Sequence, residues 1–160
     1  MTFQRILVAI DHSLLTSKVF KKALDIAQSE KANLMIFHCL DAEEEIDIGI
    51  PIKSGSGIDI YQKDLVFERQ FYQESFQSKV VQVEAWLQTY VQKAKDLGIP
   101  TQYKHDAGNT GSTICELASD WGADLIIIGR KEHKGFTEFF MGSVSNYVVH
   151  HANCSVLVIQ

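Results

Sequence analysis

ILVAIDHSLLTSKVFKKALDIAQSEKANLMIF, residues 6–37, holds two unlike patterns back to back. It opens on Ile6-Leu7-Val8-Ala9-Ile10, an apolar run without polar alternation, which suits a strand covered on both faces, as in a parallel sheet. Asp11-His12-Ser13 ends the run with small polar side chains able to cap a following helix. Val19, Phe20, Ala23, Leu24 and Ala27 then recur at helical spacing between Lys18, Lys21, Lys22, Asp25 and Gln28, the mark of an amphipathic helix. Leu34-Met35-Ile36-Phe37 is a second apolar run. Strand, helix and strand in under forty residues make a βαβ unit with a right-handed crossover.

The rest of the chain extends this unit. Phe76, Val80, Val83, Leu87, Tyr90, Val91, Ala94 and Leu97 predict a helix ended by Gly98 and Pro100. A single helix over Tyr61–Leu97 would be about 55 Å long, so the ordered core helix is expected to start nearer Glu68 than Tyr61. Thr101–His105 is a short polar strand. Ser112 opens a helix with Ile114, Leu117 and Ala118 inward and Gly122 at its end. Leu125-Ile126-Ile127-Ile128 is the strongest strand and Gly129 breaks it. Gly142-Ser143 starts a last helix with Val144, Tyr147, Val148 and His151 along one side, and Val156-Leu157-Val158-Ile159 closes the chain. Between these elements, residues 41–60 lose all periodicity and carry Gly49, Pro51, Gly55 and Gly57, which predicts a long mobile loop. The expectation is one α/β domain over residues 1–160, an open five-stranded, mostly parallel sheet with helices on both faces.

Composition narrows the function. The 160 residues carry a net charge of -5 and are 46% hydrophobic, values of a folded globular chain. The acidic balance supplies no counterion-release term for a nucleic-acid partner. No apolar run is long enough to span a bilayer, and the start lacks the basic and apolar regions of a signal peptide. Cys39, Cys115 and Cys154 are odd in number and far apart, which reads as reduced thiols in a cytoplasmic protein.

In an open parallel sheet, ligands bind beyond the carboxyl ends of the strands, where strand order reverses. Two strand ends here carry unusual polar chemistry: Asp11-His12-Ser13, and the stretch from Gly129 through Arg130, Lys131, Glu132 and Lys134 to Gly142, Ser143, Val144 and Ser145. Gly129 lets backbone turn and approach a ligand closely. Gly142-Ser143 marks a helix start, with backbone N–H groups and the positive end of the dipole pointing outward. Ser143 and Ser145 add hydroxyls, and Arg130, Lys131 and Lys134 add positive charge. Residue by residue, a helix cap and a solvated basic loop are the better explanation; the convergence of both strand ends favours an anion site.

The chain resembles the universal stress protein family along almost its whole length. The resemblance rests on Ile6–Asp11, on Ala123-Asp124-Leu125-Ile126-Ile127-Ile128-Gly129, on Gly142–Val149 and on Cys154–Ile159. The family's nucleotide-binding branch has the pattern G-x2-G-x9-G-[ST]. Gly129 fills its first position and Gly142-Ser143 the last two, while Glu132 stands at the second glycine. The resemblance implies a Rossmann-like fold with strand order 3-2-1-4-5 that binds ATP or a related adenine nucleotide, with or without magnesium. Ala9, Ile10 and Asp11 would meet adenine and ribose, with Cys39 lining the base pocket. Ile128, Gly129, Arg130 and Lys131 would border ribose and phosphates, Glu132 would lie near the phosphates, and Gly142, Ser143, Val144 and Ser145 would hold them. It also points to a homodimer, which the apolar last strand, Val156 to Ile159, suggests independently as a pairing edge.

Other chemistries are poorly supported. A hydrolase triad would need a nucleophile elbow, which is missing, and no CxxC or HExxH suggests zinc. The carboxylates between Asp41 and Asp47 lack the ligand spacing of a calcium loop, and no Walker A or kinase signature is present. Three functions remain open: a nucleotide-responsive dimeric stress regulator with an unknown protein partner, a nucleotide-free interaction module, for which Glu132 speaks, and a slow ATPase.

Overall fold

A computed structural model describes residues 2–40, 61–130 and 142–160, the side chains of 61–73 and 75 excepted. Five strands form a single parallel sheet: β1 (Arg5–Ala9), β2 (Asn33–Leu40), β3 (Thr101–Ala107), β4 (Leu125–Gly129) and β5 (Ser155–Ile159). Their spatial order is β3-β2-β1-β4-β5, with Val8 beside Ile36 on one side and Ile127 on the other. Helix α1 (Thr16–Glu30) joins β1 to β2, α2 (Tyr61–Asp96) precedes β3, α3 (Thr110–Trp121) joins β3 to β4, and α4 (Ser143–His151) precedes β5.

The unbroken apolar strands are explained by two cores, one on each face. Successive strand residues point to opposite faces. Ile6, Val8, Leu34, Ile36, Leu125 and Ile127 therefore meet Val19, Phe20 and Ala23 of α1 and Val83, Leu87 and Val91 of α2. Leu7, Met35, Phe37, Ile126 and Ile128 meet Ile114, Leu117 and Ala118 of α3 and Val148 of α4. A polar residue at either parity of the covered stretches would be buried, so Ile6–Val8 of β1 and Leu125–Ile128 of β4 carry none, and Arg5 stands at the exposed start of β1. The edge strands differ from this pattern. In β3 half-buried and exposed residues alternate, and in β5 Val156, Leu157 and Val158 are only half-buried.

The helix ends follow local chemistry. Helix α1 stops at Lys31, whose left-handed φ of 56° lets its N–H reach the Ala27 and Gln28 carbonyls. Helix α3 is capped by Asn109, whose side chain accepts from the Ser112 N–H, and it ends on Gly122 at φ 69°. Helix α2 departs from expectation: it is helical from Tyr61, not from nearer Glu68, and its 36 residues extend about 54 Å. Among its described side chains the buried apolar ones are Val83, Leu87, Val91 and Ala94, while Phe76 and Val81 are exposed. The expected inward stripe is thus confined to the C-terminal part. The anticipated loop at 41–60 lies outside the described residues. No described helix is long and apolar enough to cross a membrane.

Candidate functional site

Strand β1 is the point at which the chain reverses direction across the sheet. From β1 the path runs outward to β2 and β3, then crosses back to β4 and β5. Helices α1 and α2 cover one face and α3 and α4 the other, which parts them at the carboxyl ends of β1 and β4. A cavity of about 270 Å³ opens there. Its floor is made by strand ends: Ala9, Ile10, Phe37, Cys39, Ile128 and Gly129. The N-terminal turns of α1 (Leu15, Thr16), α3 (Thr110) and α4 (Ser143, Val144, Ser145) form its walls, with Asp11 and Ser13 on the connecting turn.

Ala9, Ile10, Asp11, Cys39, Ile128, Gly129, Gly142, Ser143, Val144 and Ser145, selected from sequence, all line this one cavity. Arg130 does not line it; its backbone N–H donates to the Ile159 carbonyl at 2.9 Å, continuing the β4–β5 ladder. Lys131 and Glu132 lie outside the described residues. Sequence reading missed the contributions of Thr16, Thr110 and Ile114. The signal for Thr110 was available in Gly108-Asn109-Thr110, a glycine and a capping residue directly after a strand.

Several of these residues are held differently from the sequence expectation. Asp11-His12-Ser13 does not cap α1, whose N-cap is Leu15 with no side-chain bond. Asp11 instead closes a tight local turn, with Oδ1 accepting from the Ser13 N–H at 3.0 Å and from the Thr16 hydroxyl at 3.1 Å. Gly129 is not in the left-handed region, so a turn does not require glycine there. A Cβ at that position would stand 3.0 Å from Leu15 Cδ2 and 3.1 Å from Val19 Cγ2. Close passage of α1 over the end of β4 thus favours a bare backbone there. The Ser145 hydroxyl donates to the Gly142 carbonyl at 3.0 Å and is buried. Its single proton braces the start of α4, leaving Ser143, exposed at the helix start, as the hydroxyl most open to a ligand.

The electrostatics of the cavity come from backbone more than from side chains. Among the described lining residues there is one carboxylate, Asp11, and no lysine or arginine. Three helices present their N-terminal ends, where N–H groups and the positive dipole end attract an anion within the first turn. The floor under them is apolar, and Cys39 Sγ lies 3.6 Å from the Gly108 carbonyl. An apolar floor, polar helix ends and one carboxylate suit a ligand with a flat apolar part, hydrogen-bond donors and an anionic tail.

Between Phe37 and Cys39 in β2, His38 takes part in an aromatic cluster with His12 and Trp86. The rings of His12 and Trp86 are 4.2 Å apart, and His38 is 5.1 Å from each. His38 is buried and its Nδ1 lies 2.9 Å from the Ile10 carbonyl. A carbonyl only accepts, so Nδ1 carries the proton. This bond ties the end of β2 to the end of β1 immediately beside the cavity.

Comparison with known proteins places these features in context. The model of the universal stress protein family matches residues 2–160. The chain is similar to universal stress protein Sll1388 of Synechocystis, with 34% identity over 160 residues, covering all of this chain and 99% of that one. Its fold is similar to that of universal stress protein UspA from Lactobacillus plantarum, at a TM-score of 0.72 and 24% identity, covering 100% of this chain and 99% of that one. Its fold is similar also to that of a universal stress protein in complex with cAMP, at a TM-score of 0.65 and 19% identity, covering 100% of this chain and 98% of that one. A further fold likeness is to the Archaeoglobus fulgidus universal stress protein in complex with dAMP, at a TM-score of 0.62 and 19% identity over 100% of both chains.

Proposed function

Because this chain belongs to the universal stress protein family, we propose that it is a stress-response module that binds ATP or a related adenine nucleotide in the cavity between β1 and β4. The observation that carries this reading is the opening of three helix N-termini onto one apolar-floored cavity of about 270 Å³. Fold relatives in complex with cAMP and dAMP support the choice of an adenine nucleotide. In this reading the base lies toward Ala9, Ile10 and Cys39, with Phe37 and Ile114 completing an apolar slot. Asp11 takes donors of the nucleoside, since a carboxylate accepts hydrogen bonds and repels phosphate. Ile128 and Gly129 border the ribose, and Gly142, Ser143 and Val144 receive the phosphates. Any magnesium enters with the polyphosphate, because among the described residues no three His, Cys, Asp or Glu side chains come together.

The protein then acts in the cytoplasm as a homodimer that answers nucleotide occupancy with a change of partners. The half-buried apolar edge of β5 supports the dimer. Glu132, at the position of a family glycine, favours a second reading, a nucleotide-free interaction module. Calorimetric titration separates the two. ATP binding to the wild type, about 3- to 10-fold weaker in Ser143→Ala for one lost hydroxyl bond and tighter in Glu132→Gly, supports the nucleotide reading. No heat in either the wild type or Glu132→Gly with ATP, ADP, AMP or cAMP leaves the interaction module in its place.

A further inference from the structure

We infer that Thr16 is a positioning residue, whose hydroxyl orients the Asp11 carboxylate for recognition of the nucleoside end of the ligand. The inference rests on the nucleotide reading and deepens it.

Thr16 is the first residue of α1 and is buried, although it is polar and stands at the rim of an open cavity. Its Oγ1 lies between two acceptors of the same residue, the Asp11 main-chain carbonyl and Asp11 Oδ1, the latter at 3.1 Å. The Ser13 N–H approaches the same Oδ1 at 3.0 Å. The single hydroxyl proton of Thr16 is shared between the Asp11 main-chain carbonyl and Oδ1, so that Thr16 ties the carboxylate to its own backbone while the Ser13 N–H holds the same oxygen from the turn. Such bonds to an ionised group are stronger than bonds between neutral groups.

That restraint answers an electrostatic problem specific to this site. Asp11 is the one carboxylate among the described lining residues, in a cavity whose helix ends invite an anion. A half-buried, unrestrained aspartate would turn away from an incoming phosphate and lose its contact with the nucleoside. Anchoring Oδ1 keeps the negative charge in place, so that the ligand is forced to enter with its hydroxyl or amino donors toward Asp11 and its phosphates toward α4. Thr16 thereby sets ligand polarity without a ligand contact being required of its own hydroxyl.

The test pairs a ligand-free readout with a double-mutant cycle. In the nuclear magnetic resonance spectrum of the empty protein, Thr16→Val should shift the Ser13 amide and speed its exchange, and Thr16→Ser should restore both. By titration, Thr16→Val should weaken ATP about 5- to 10-fold and Thr16→Ser less than about 2-fold. In an Asp11→Ala background Thr16→Val should change affinity less than about 2-fold, because its effect runs through Asp11. An equal loss in both backgrounds, with folding intact by thermal melting, overturns the inference, as does an unmoved Ser13 amide. If the amide responds as expected but the wild type binds no nucleotide, the nucleotide reading is what fails, and the role assigned to Thr16 in ligand polarity falls with it.

Discussion

Replacing Gly129 by alanine tests whether glycine at the end of β4 serves helix packing before it serves any ligand. The new Cβ would lie 3.0 Å from Leu15 Cδ2, 3.1 Å from Val19 Cγ2 and 3.6 Å from Leu15 Cγ. Comfortable carbon contacts begin near 3.5 Å, so two atoms must retreat by several tenths of an ångström. Leu15 is half-buried and can rotate its tip aside. Val19 is 2% exposed and β-branched within a helix, so its χ1 is fixed and α1 itself has to move. Overpacking of this kind costs about 1–3 kcal/mol. The loss of glycine's freedom in the unfolded chain returns about 0.4–1 kcal/mol, since φ here is not left-handed. The net is about 1.3 kcal/mol at mid-range, with limits of about 0 and 2.6, or about 3–5 °C in Tm for a chain of this size. Thermal and urea unfolding of the empty protein measure it, and a cycle with Val19→Ala should recover at least about 0.5 kcal/mol as the alanine methyl occupies the space vacated. A Gly129→Ala protein as stable as the wild type, with no coupling to Val19, would refute the packing argument and return the glycine requirement to ligand approach.

A Cβ on Gly111 would stand 2.9–3.1 Å from Tyr147 Cδ1, Cγ and Cβ, and the Tyr147 Cβ cannot be moved by side-chain rotation. Gly111→Ala should therefore push α4 from α3, lower Tm by a few degrees despite alanine's better helix propensity, and weaken ATP binding because both helices wall the cavity; an unchanged Tm refutes it. Burial, then the Asp124 carboxylate, then Cys115 push the Cys154 thiol up, and burial followed by Glu116 does the same for Cys115. The folded state thus prefers the protonated thiols, so stability is full below the ordinary thiol range and declines as pH rises through the raised values. Iodoacetamide labelling against pH should show both thiols titrating above a free cysteine, and Cys154→Ser should flatten the alkaline fall in unfolding midpoint. For assembly, light scattering should show a dimer that Val158→Lys dissociates while circular dichroism remains native; a monomeric wild type at micromolar concentration rejects pairing through β5.

The parts of the fold legible in the sequence are those whose local pattern has one physical solution. Five apolar residues in a row from Ile6, and four from Leu125, alternating with amphipathic helices, suit a parallel sheet with helices on each face, and the two cores are arranged in this way. The start of α2 was not legible. Periodicity reports burial, and it locates the packed part of a helix and not its first residue: among the described side chains of α2, Phe76 is exposed and the buried positions begin at Val83. Polar β3 extends two residues beyond the expected His105, to Ala107, for the related reason that an edge strand needs only its partner's ladder.

At the site, what could be read were the strand ends, because each follows directly on an apolar run. Ala9, Ile10 and Asp11 and Ile128 and Gly129 are adjacent in space because β1 and β4 are neighbours in register, Ala9 beside Ile128. The contribution of Thr16 was hidden, since it reaches the cavity only through the direction in which α1 crosses the sheet, whereas Thr110 was signalled by the glycine and capping residue that precede it. The reason for Gly129 was hidden in the same way. A glycine after a strand reads as a turn or a ligand approach, and only the path of α1, bringing Val19 onto the end of β4, shows that a Cβ there would press on Leu15 and Val19. Gly111 against Tyr147 repeats the device on the other face, where a missing Cβ lets α3 and α4 meet closely. One bare position on each face thus draws helices together around the carboxyl end of the sheet. The distance between their N-termini, and with it the field inside the cavity, is set by packing contacts that no linear motif records.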